Sequence, residues 1–506
     1  MNRKSIIIIG GGLGGLFTGA LLAKEGYGVT VLEKNAAIGG GLQTFQRAGV
    51  TFETGMHILG GLRPGASISK ICQYLGIYDQ LQLRDVDHDC IDSITYSSSH
   101  KTYRIPEGRE AFTSYFVSEF PHQEQGIRHY VESLYRLADE VDMFYLRPAD
   151  GSLYAHSEQF LWPADELIAY YIEDVRLRDV LAYMNPMYGG VAGHTPAYIH
   201  ALINVLYISG PSRFVGGGQQ LADALARKIE EGGGRVIGGE QVVALHVGDD
   251  RQCTAVTTAK GNDYRADYYI SAIHPSRLVD IADGGAFPKS YRQRVASIPN
   301  TYSAFTVYIK FRPGAFPYIN HTCYWQDDFG RVWQHGEYDP ADCGWPHGFM
   351  YMTPPTTGQW ATTMVVNCLM PFSAVAQWAD TTVGHRGKEY ERWKQHVVDR
   401  IFRRMEQLHP GFSQCVDHSW SSTPLTIRDY YNQPDGALYG IRKDCQNIML
   451  SQLPIWTKVK NLLLTGQNVN LHGICGVPLT AVNTVEALVG RHQLVAKINE
   501  YYNQTK

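Results

Sequence analysis

At 506 residues the chain is longer than one ordinary hydrophobic core sustains, so two domains, sequential or interleaved, are expected. Hydrophobic residues at 44% and charged residues at 19% exclude a disordered chain, and a net charge of −4 excludes the polycation that nucleic acid would require. The nine cysteines lie singly between Cys72 and Cys475, with no C-x-x-C and no metal spacing, as reduced thiols of a cytosolic protein do. With no H-E-x-x-H among the 19 histidines, no metal site is expected.

The opening MNRKSIIIIGGG imitates a signal peptide, but its apolar part is only Ile6–Ile9 and ends in glycine. It reads instead as a buried strand, Ser5–Ile9, followed by a glycine turn, a helix over Leu13–Lys24 and a second strand over Gly28–Lys34. This βαβ start predicts a parallel sheet covered on both faces, and a chain that stays in the cytoplasm. Residues 91–207 lose the pattern and turn aromatic and helical. Within them Ala197–Ile208 is apolar enough to graze a membrane and is read as a buried helix; no run reaches the roughly 18–20 apolar residues of a membrane span.

Order of the first kind returns at Arg213, with a helix over Gln219–Glu231 stopped by Gly232–Gly234. Strands follow near Arg235–Ile237, Gln241–Val247, Thr254–Thr258 and Tyr268–Ala272. A second aromatic stretch carries a helix near Glu389–Leu408, and the chain closes with a strand, a glycine-rich turn and one long helix. The expected architecture is α/β: a Rossmann-type dinucleotide-binding domain of residues 1–90, 213–275 and 441–506, into which residues 91–212 and 276–440 insert an α+β substrate domain.

The strongest motif is Gly10-x-Gly12-x-x-Gly15 between the first strand and helix. Gly10 allows the tight turn, Gly12 lets backbone N–H groups approach a pyrophosphate, and Gly15 lets helix and sheet pack closely. The start of the helix, with Leu13 and Gly14, adds partial positive charge to the phosphate site. Glu33 follows Gly10 by 23 residues, where a carboxylate accepts hydrogen bonds from ribose hydroxyls, and Lys34 lies beside it. A side chain at Gly12 is expected to break cofactor binding and the fold together, in a turn that needs positive φ. A second glycine cluster, Gly39–Gly41, then Leu42, suits the long extended FAD better than NAD.

The stretch GGGLGGLFTGALLAKEGYGVTVLEKNAAIGGGLQTFQRAGVTFETGMHILGG resembles the N-terminus of the flavin amine oxidase superfamily. Within it the chain is similar to the phytoene desaturase, carotenoid isomerase and retinol saturase branch, with FETGMHILGG nearest the retinol saturases (all-trans-retinol 13,14-reductases). GGGQQLADALARKIEEGGGRV and LLLTGQNVNLHGICGVPLTAV match the branch's later flavin segments. The resemblance implies non-covalent FAD held by Gly10–Gly15, Glu33–Lys34, Gly39–Leu42, Gly55, Met56 and His57. It implies the adenine end at Val242 and Val243, and the last motif at Gly466, Gln467, Gly476, Val477 and Thr480. That last loop would bring a helix start around Val477–Thr480 to the pyrimidine edge of the flavin, with Pro478 in its first turn. The sequence departs from many members in having Gln467 after Gly466, and in lacking an arginine after the second glycine cluster.

His57 and His472 are the candidate catalytic residues, each able to exchange a proton near neutral pH, with structural support as the alternative for both. No G-x-S-x-G is present, which excludes that hydrolase arrangement. The function implied is hydride exchange between FAD and a carbon–carbon double bond of a lipophilic polyene, by saturation, desaturation or isomerisation. NAD(P)H is a candidate electron donor, and the lipophilic substrate suggests peripheral membrane contact. The rivals are an amine or amino-acid oxidase of the same superfamily and a flavin-binding protein without turnover. The sequence carries no signal for an oligomeric state.

Overall fold

The computed structural model describes residues 3–148 and 155–505; Met1 and Asn2 of the basic start, and residues 149–154 of the first insert, lie outside them. Ile6–Ile9 are 0–3% exposed, and burying such a side chain contributes about 1.5–3 kcal/mol. This apolar strand, Ser5–Ile9, is the centre of a five-stranded parallel sheet. Its order is Leu462–Leu464, Tyr268–Ser271, Ser5–Ile9, Gly28–Leu32, Arg235–Ile237, with Ile7 in register with Thr30 on one side and Tyr269 on the other. The helix Leu13–Lys24 is buried on nearly all sides and packs between the helices Gln219–Glu231 and Gly473–Val489. The expected Rossmann-type sheet is therefore present, assembled from strands far apart in the chain.

A three-stranded antiparallel sheet, Val242–Val247, Cys253–Thr258 and Asp263–Tyr264, flanks it. The second large sheet has seven strands in the order Val416–Ser422, Ser303–Phe311, Thr363–Met370, Gly348–Met352, Thr322–Gln326, Asp92–Tyr96, Lys101–Ile105. Thr322–Gln326 and Asp92–Tyr96 pair in parallel, and the other neighbours are antiparallel. One face, with Cys323, Trp325, Phe349 and Tyr351, packs in a core with Val397, Ile401 and Met405 of the helix Lys388–Leu408. The opposite face presents Ile94, Tyr96, Tyr324, Met350 and Met352 to the core that holds the helices of the first insert. Alternation along each strand produces this division.

Two expectations change. The second strand ends at Leu32, so Glu33 and Lys34 lie in the turn beyond it. The closing segment is two helices, Gly473–Val489 and Gln493–Thr505, bent by 118°, because Gly490 (φ 117°) and His492 (φ 62°) take left-handed backbone between them. Among the described residues no single helix is long and apolar enough to cross a membrane, and Ala197–Ile208 is buried at all but one position.

Candidate functional site

The glycine turn after the first strand is built as its sequence suggests, with one correction. Gly10 has φ 105° and donates its N–H to the Leu32 carbonyl at 2.8 Å, so this is the residue that needs left-handed freedom. Gly12 has φ −79° and ψ −175°, which any residue adopts, so the expected positive φ does not fall there. A Cβ on Gly15 would drive into the Gly10 carbonyl oxygen, and one on Gly14 would stand 2.8 Å from the Gly466 Cα. The first and last glycine motifs thus touch, and Val477 packs at the same contact.

The second cluster closes on the first. Gly39 (φ 110°) donates its N–H to Gly11 O at 2.8 Å and bridges Gly12 in parallel. Glu33 is 6% exposed; its Oε2 accepts the Gly11 N–H at 2.7 Å and its Oε1 accepts the Asn35 N–H at 2.9 Å. Each carboxylate oxygen keeps a second lone pair, as ribose hydroxyls require. The groove fits a dinucleotide on its own geometry. A Cβ on Gly12 would meet only the Gly40 Cα, at 3.9 Å, and one on Gly41 would meet nothing within 4 Å.

Lys34 does not turn toward this groove. Its Nζ donates to the Asp429 carbonyl at 2.6 Å, tying the turn to the helix Pro424–Tyr431, and burial pushes its pKa down. Val242 is buried, while Val243 is 42% exposed and lies at an irregularity that interrupts the ladder with Cys253–Thr258.

His57 is 8% exposed and its Nδ1 lies 2.6 Å from Glu53 Oε1. The same Glu53 oxygen accepts the Gly218 N–H at 2.8 Å. Burial alone would push the imidazole pKa down; the Glu53 charge, the Glu53 hydrogen bond and the Gly41 carbonyl outweigh it and hold it above the ordinary value. The pair ties together three segments that sequence motifs mark separately, at Gly41–Leu42, Gly55–His57 and Gly216–Gly218. Glu53 was missed as a functional residue, although its i, i+4 spacing to His57 stands in the FETGMH stretch.

His472 differs. It precedes the helix Gly473–Val489, is 7% exposed, and its Nε2 has no hydrogen-bond partner among the described residues. Its ring lies 4.9 Å from that of Tyr439. Burial, helped by the nearby Lys443 charge, pushes its pKa down to about 3, so the ring is neutral at physiological pH. Lys443 is itself 5% exposed, donates to the Ser451 carbonyl at 2.9 Å, and is pushed down to about 7 by burial.

The helix behind His472 begins at Gly473, not around Val477–Thr480, and Pro478 lies inside it. Gly473 (φ 76°) turns the chain early, and Gly476 lets the helix pass against Leu471, where a Cβ would sit 2.5 Å from the Leu471 Cβ. The free N–H groups of the helix start are therefore those just after Gly473. Thr480 is fully buried one turn further on, and its hydroxyl donates to Gly476 O at 3.1 Å, bracing the loop rather than facing the groove. Gln467 is half-buried at the mouth of this loop, and Met56 packs between the hairpin aromatics and the main core.

These loops meet the inner face of the seven-stranded sheet. Tyr207 donates its hydroxyl to the Ile58 carbonyl at 3.0 Å, directly after His57. Tyr183 donates to Asp92 Oδ2 at 2.9 Å, and its ring stands edge-on to Tyr324 at 5.1 Å. Arg213, 1% exposed, donates to the Thr353 carbonyl and the Thr322 hydroxyl, each at 3.1 Å. Sequence reasoning missed Asp92, Arg213 and Lys443; isolated charges in apolar surroundings carry no spacing signal.

The family model for flavin containing amine oxidoreductases matches residues 13–488. The all-trans-retinol 13,14-reductase of Homo sapiens is 24% identical, over 97% of this chain and 86% of its own length. The prolycopene isomerase 1, chloroplastic, of an Oncidium hybrid cultivar is also 24% identical, over 86% of this chain and 74% of its own. Among solved structures, putrescine oxidase bound to putrescine superposes with a TM-score of 0.67 at 13% identity, covering 96% of this chain and 99% of that one.

Proposed function

Because the chain belongs to the family of flavin containing amine oxidoreductases, and is an FAD-dependent oxidoreductase, we propose that it acts on a carbon–carbon double bond of a lipophilic, retinoid- or carotenoid-like polyene. When bound, FAD supplies hydride acceptance and donation. The chain's own residues bind and orient: Glu33 takes the ribose hydroxyls, the glycine-lined turns pass the pyrophosphate, and Val242 and Val243 border the adenine. The N–H groups after Gly473 would serve as donors to the pyrimidine edge. We read residues 1–90, 213–275 and 441–506 as the part that holds the cofactor, and 91–212 with 276–440 as the part that holds substrate. His57, committed to Glu53, positions the Gly41–Leu42 turn, and His472, with an open Nε2, touches cofactor or substrate.

The observation that carries the polyene reading is an apolar, tyrosine-rich seam in one buried core, where Tyr183 meets Tyr324, Tyr324 lies opposite Met350 in the sheet, and Tyr207 bonds the loop at Ile58. Apolar burial of this kind holds an uncharged chain, about 25 cal/mol for each Å² removed from water. The buried Arg213 cation is felt at Asp92 and Tyr324 and offsets the Asp92 charge, so the seam has no net negative charge to hold the ammonium of an amine substrate. Both curated relatives named above carry polyene names, one a reductase and one an isomerase. Net saturation needs an electron donor, for which NAD(P)H is our candidate. We place the protein in the cytoplasm, with peripheral membrane contact where it collects substrate.

The test is anaerobic. Holoprotein with chemically reduced FAD is mixed with all-trans-retinol or a poly-cis carotene, and the return of the oxidised flavin absorbance is followed together with the polyene products. Isomerisation without net oxidation of the flavin also supports the reading. Bleaching of oxidised holoprotein by putrescine, with peroxide release in air and no change in either polyene, would replace it with the amine oxidase reading.

A further inference from the structure

A carboxyl group buried in an aromatic seam is costly unless its oxygens are satisfied. The inner side of the seven-stranded sheet offers two such groups for comparison. Asp179, 5% exposed, accepts the Tyr96 hydroxyl at 3.0 Å and the Gly330 N–H at 3.1 Å, with the Val332 N–H at 3.5 Å. Backbone donors fix it, and it anchors the loop that carries them.

Asp92 is 3% exposed and, among the described residues, its carboxyl accepts no backbone N–H. Its carboxyl accepts the Tyr183 hydroxyl at 2.9 Å, and Thr322, its register partner on the neighbouring strand, brings a second hydroxyl whose influence pulls the Asp92 pKa down. Thr322 is oriented by Arg213, whose Nη2 donates to the same hydroxyl at 3.1 Å. The guanidinium thus holds the threonine hydroxyl on the strand beside the carboxyl, and the carboxyl keeps unused acceptor capacity. The Arg213 Nε is also buried without a partner among the described residues.

The position matters as much as the chemistry. Tyr324, edge-on to Tyr183, feels Asp92, Tyr207 and Tyr439 electrostatically. Tyr207 bonds the Ile58 carbonyl next to His57, and Tyr439 lies against His472. Asp92 thus stands across the tyrosine seam from the loops that line the cofactor groove. Resting on the polyene reading above, we propose that Asp92 and Tyr183 hold the hydroxyl end of the substrate, so that the protein selects polyene alcohols over polyene hydrocarbons.

An alcohol can donate its proton to Asp92 and accept the Tyr183 hydroxyl, which swings from Oδ2 to the alcohol oxygen. A carboxylate end is opposed by Asp92, and Arg213 offsets the Asp92 charge that an ammonium end would need, whereas a neutral hydroxyl needs neither charge. Burial pushes the Asp92 carboxyl up to about 7 against the pull of Tyr183, Arg213 and Thr322, so near neutrality it is available both to accept and to donate a proton.

The experiment measures binding, not turnover. FAD-loaded wild type, Asp92→Asn and Tyr183→Phe are titrated with all-trans-retinol, with the hydrocarbon of the same skeleton lacking the hydroxyl, and with the corresponding acid, by quenching of tryptophan fluorescence. Wild type is expected to bind the alcohol at least about tenfold more tightly than the hydrocarbon or the acid. Each variant is expected to lose about tenfold for the alcohol while its hydrocarbon affinity stays within about twofold. Tyr183→Phe keeps the ring, so its flavin spectrum and melting temperature show whether the seam is intact even where Asp92→Asn misfolds. Equal affinity of wild type for all three ligands, tighter binding of the acid, or unchanged alcohol affinity in a folded variant would overturn the hydroxyl site alone. Failure of wild type to bind any polyene would overturn the polyene reading and the site with it.

Discussion

The two seams of this molecule are closed by opposite means. Around the cofactor groove, close approach comes from missing side chains: Gly14 lies on Gly466, Gly39 bridges Gly12, and Gly15 lies under the Gly10 carbonyl. Around the inner face of the seven-stranded sheet, the walls are large rings, most of whose hydroxyls are tied to the protein. Tyr183 bonds Asp92, Tyr188 and Tyr130 bond His200, Tyr207 bonds Ile58, and Tyr439 bonds Pro186. At Gly14 and Gly15 the glycine seam has no slack, because backbone cannot move aside for a Cβ. The tyrosine seam tolerates changes of shape but penalises any polar atom left without a partner.

The sharpest way to break this contrast is a methyl group on the glycine side. Gly15→Ala should yield no soluble flavoprotein, since its Cβ meets a carbonyl oxygen that the Gly10 turn holds in place; expression of folded, yellow protein would contradict the account. Gly12→Val should behave differently. Its backbone is ordinary and its Cβ direction is open, so circular dichroism should report a folded apoprotein while bound FAD falls below about a tenth of wild type. Loss of the fold in both variants would show that Gly12, too, is closed by protein.

Glu33→Gln should be milder. One of the N–H groups of Gly11 and Asn35 would face an amide NH₂, and a ribose contact would lose its charge, weakening FAD by about tenfold to a hundredfold at equilibrium dialysis.

Acid should act on both seams through buried neutral histidines. His472 and His200 are pushed down to about 3 and His335 to about 4 by burial. The unfolded chain takes up these protons near pH 6.5 and the folded chain does not. Stability is therefore complete above about pH 6.5 and falls as pH drops, by about 1.4 kcal/mol per pH unit for each such histidine. His472→Asn should flatten the acid limb of a urea-unfolding series by about one histidine's share, and an unchanged slope would place solvent at His472.

The smallest effect concerns Asp92. Its folded pKa near 7 lies above the unfolded carboxyl value, so its favourable contribution is present below about pH 4 and lost as pH rises through 7. Asp92→Asn should thus leave the unfolding free energy at pH 8 unchanged or slightly higher, by about 1 kcal/mol at most, as urea unfolding would measure. A clear drop would make Asp92 a structural anchor like Asp179.

Local patterns determined much of this protein before any coordinate. Four apolar isoleucines and a glycine turn need no distant partner to specify a buried strand and a helix start, and Ser5–Ile9, Leu13–Lys24 and Gln219–Glu231 lie where periodicity puts them. The Rossmann-type sheet followed from spacing, because glycines and an acid at fixed separations act through backbone geometry, and the flavin from the second glycine cluster together with the resemblance of three segments to flavin amine oxidases. Tertiary structure alone decided what those patterns leave free. Pro478 and Thr480 sit inside the helix because Gly473 turns the chain early, and Lys34 leaves the cofactor groove because an inserted helix offers it the Asp429 carbonyl. His57 and His472, equal candidates as letters, became unlike through their surroundings: one gained a carboxylate four residues away, and the other was buried with an open nitrogen beside a lysine. Asp92, Thr322 and Arg213 come from three separate segments, and no spacing announces them. Their chemistry exists only where Asp92–Tyr96 and Thr322–Gln326 pair in one sheet beside Arg213, since the charge and burial that tune a side chain belong to its neighbours in space.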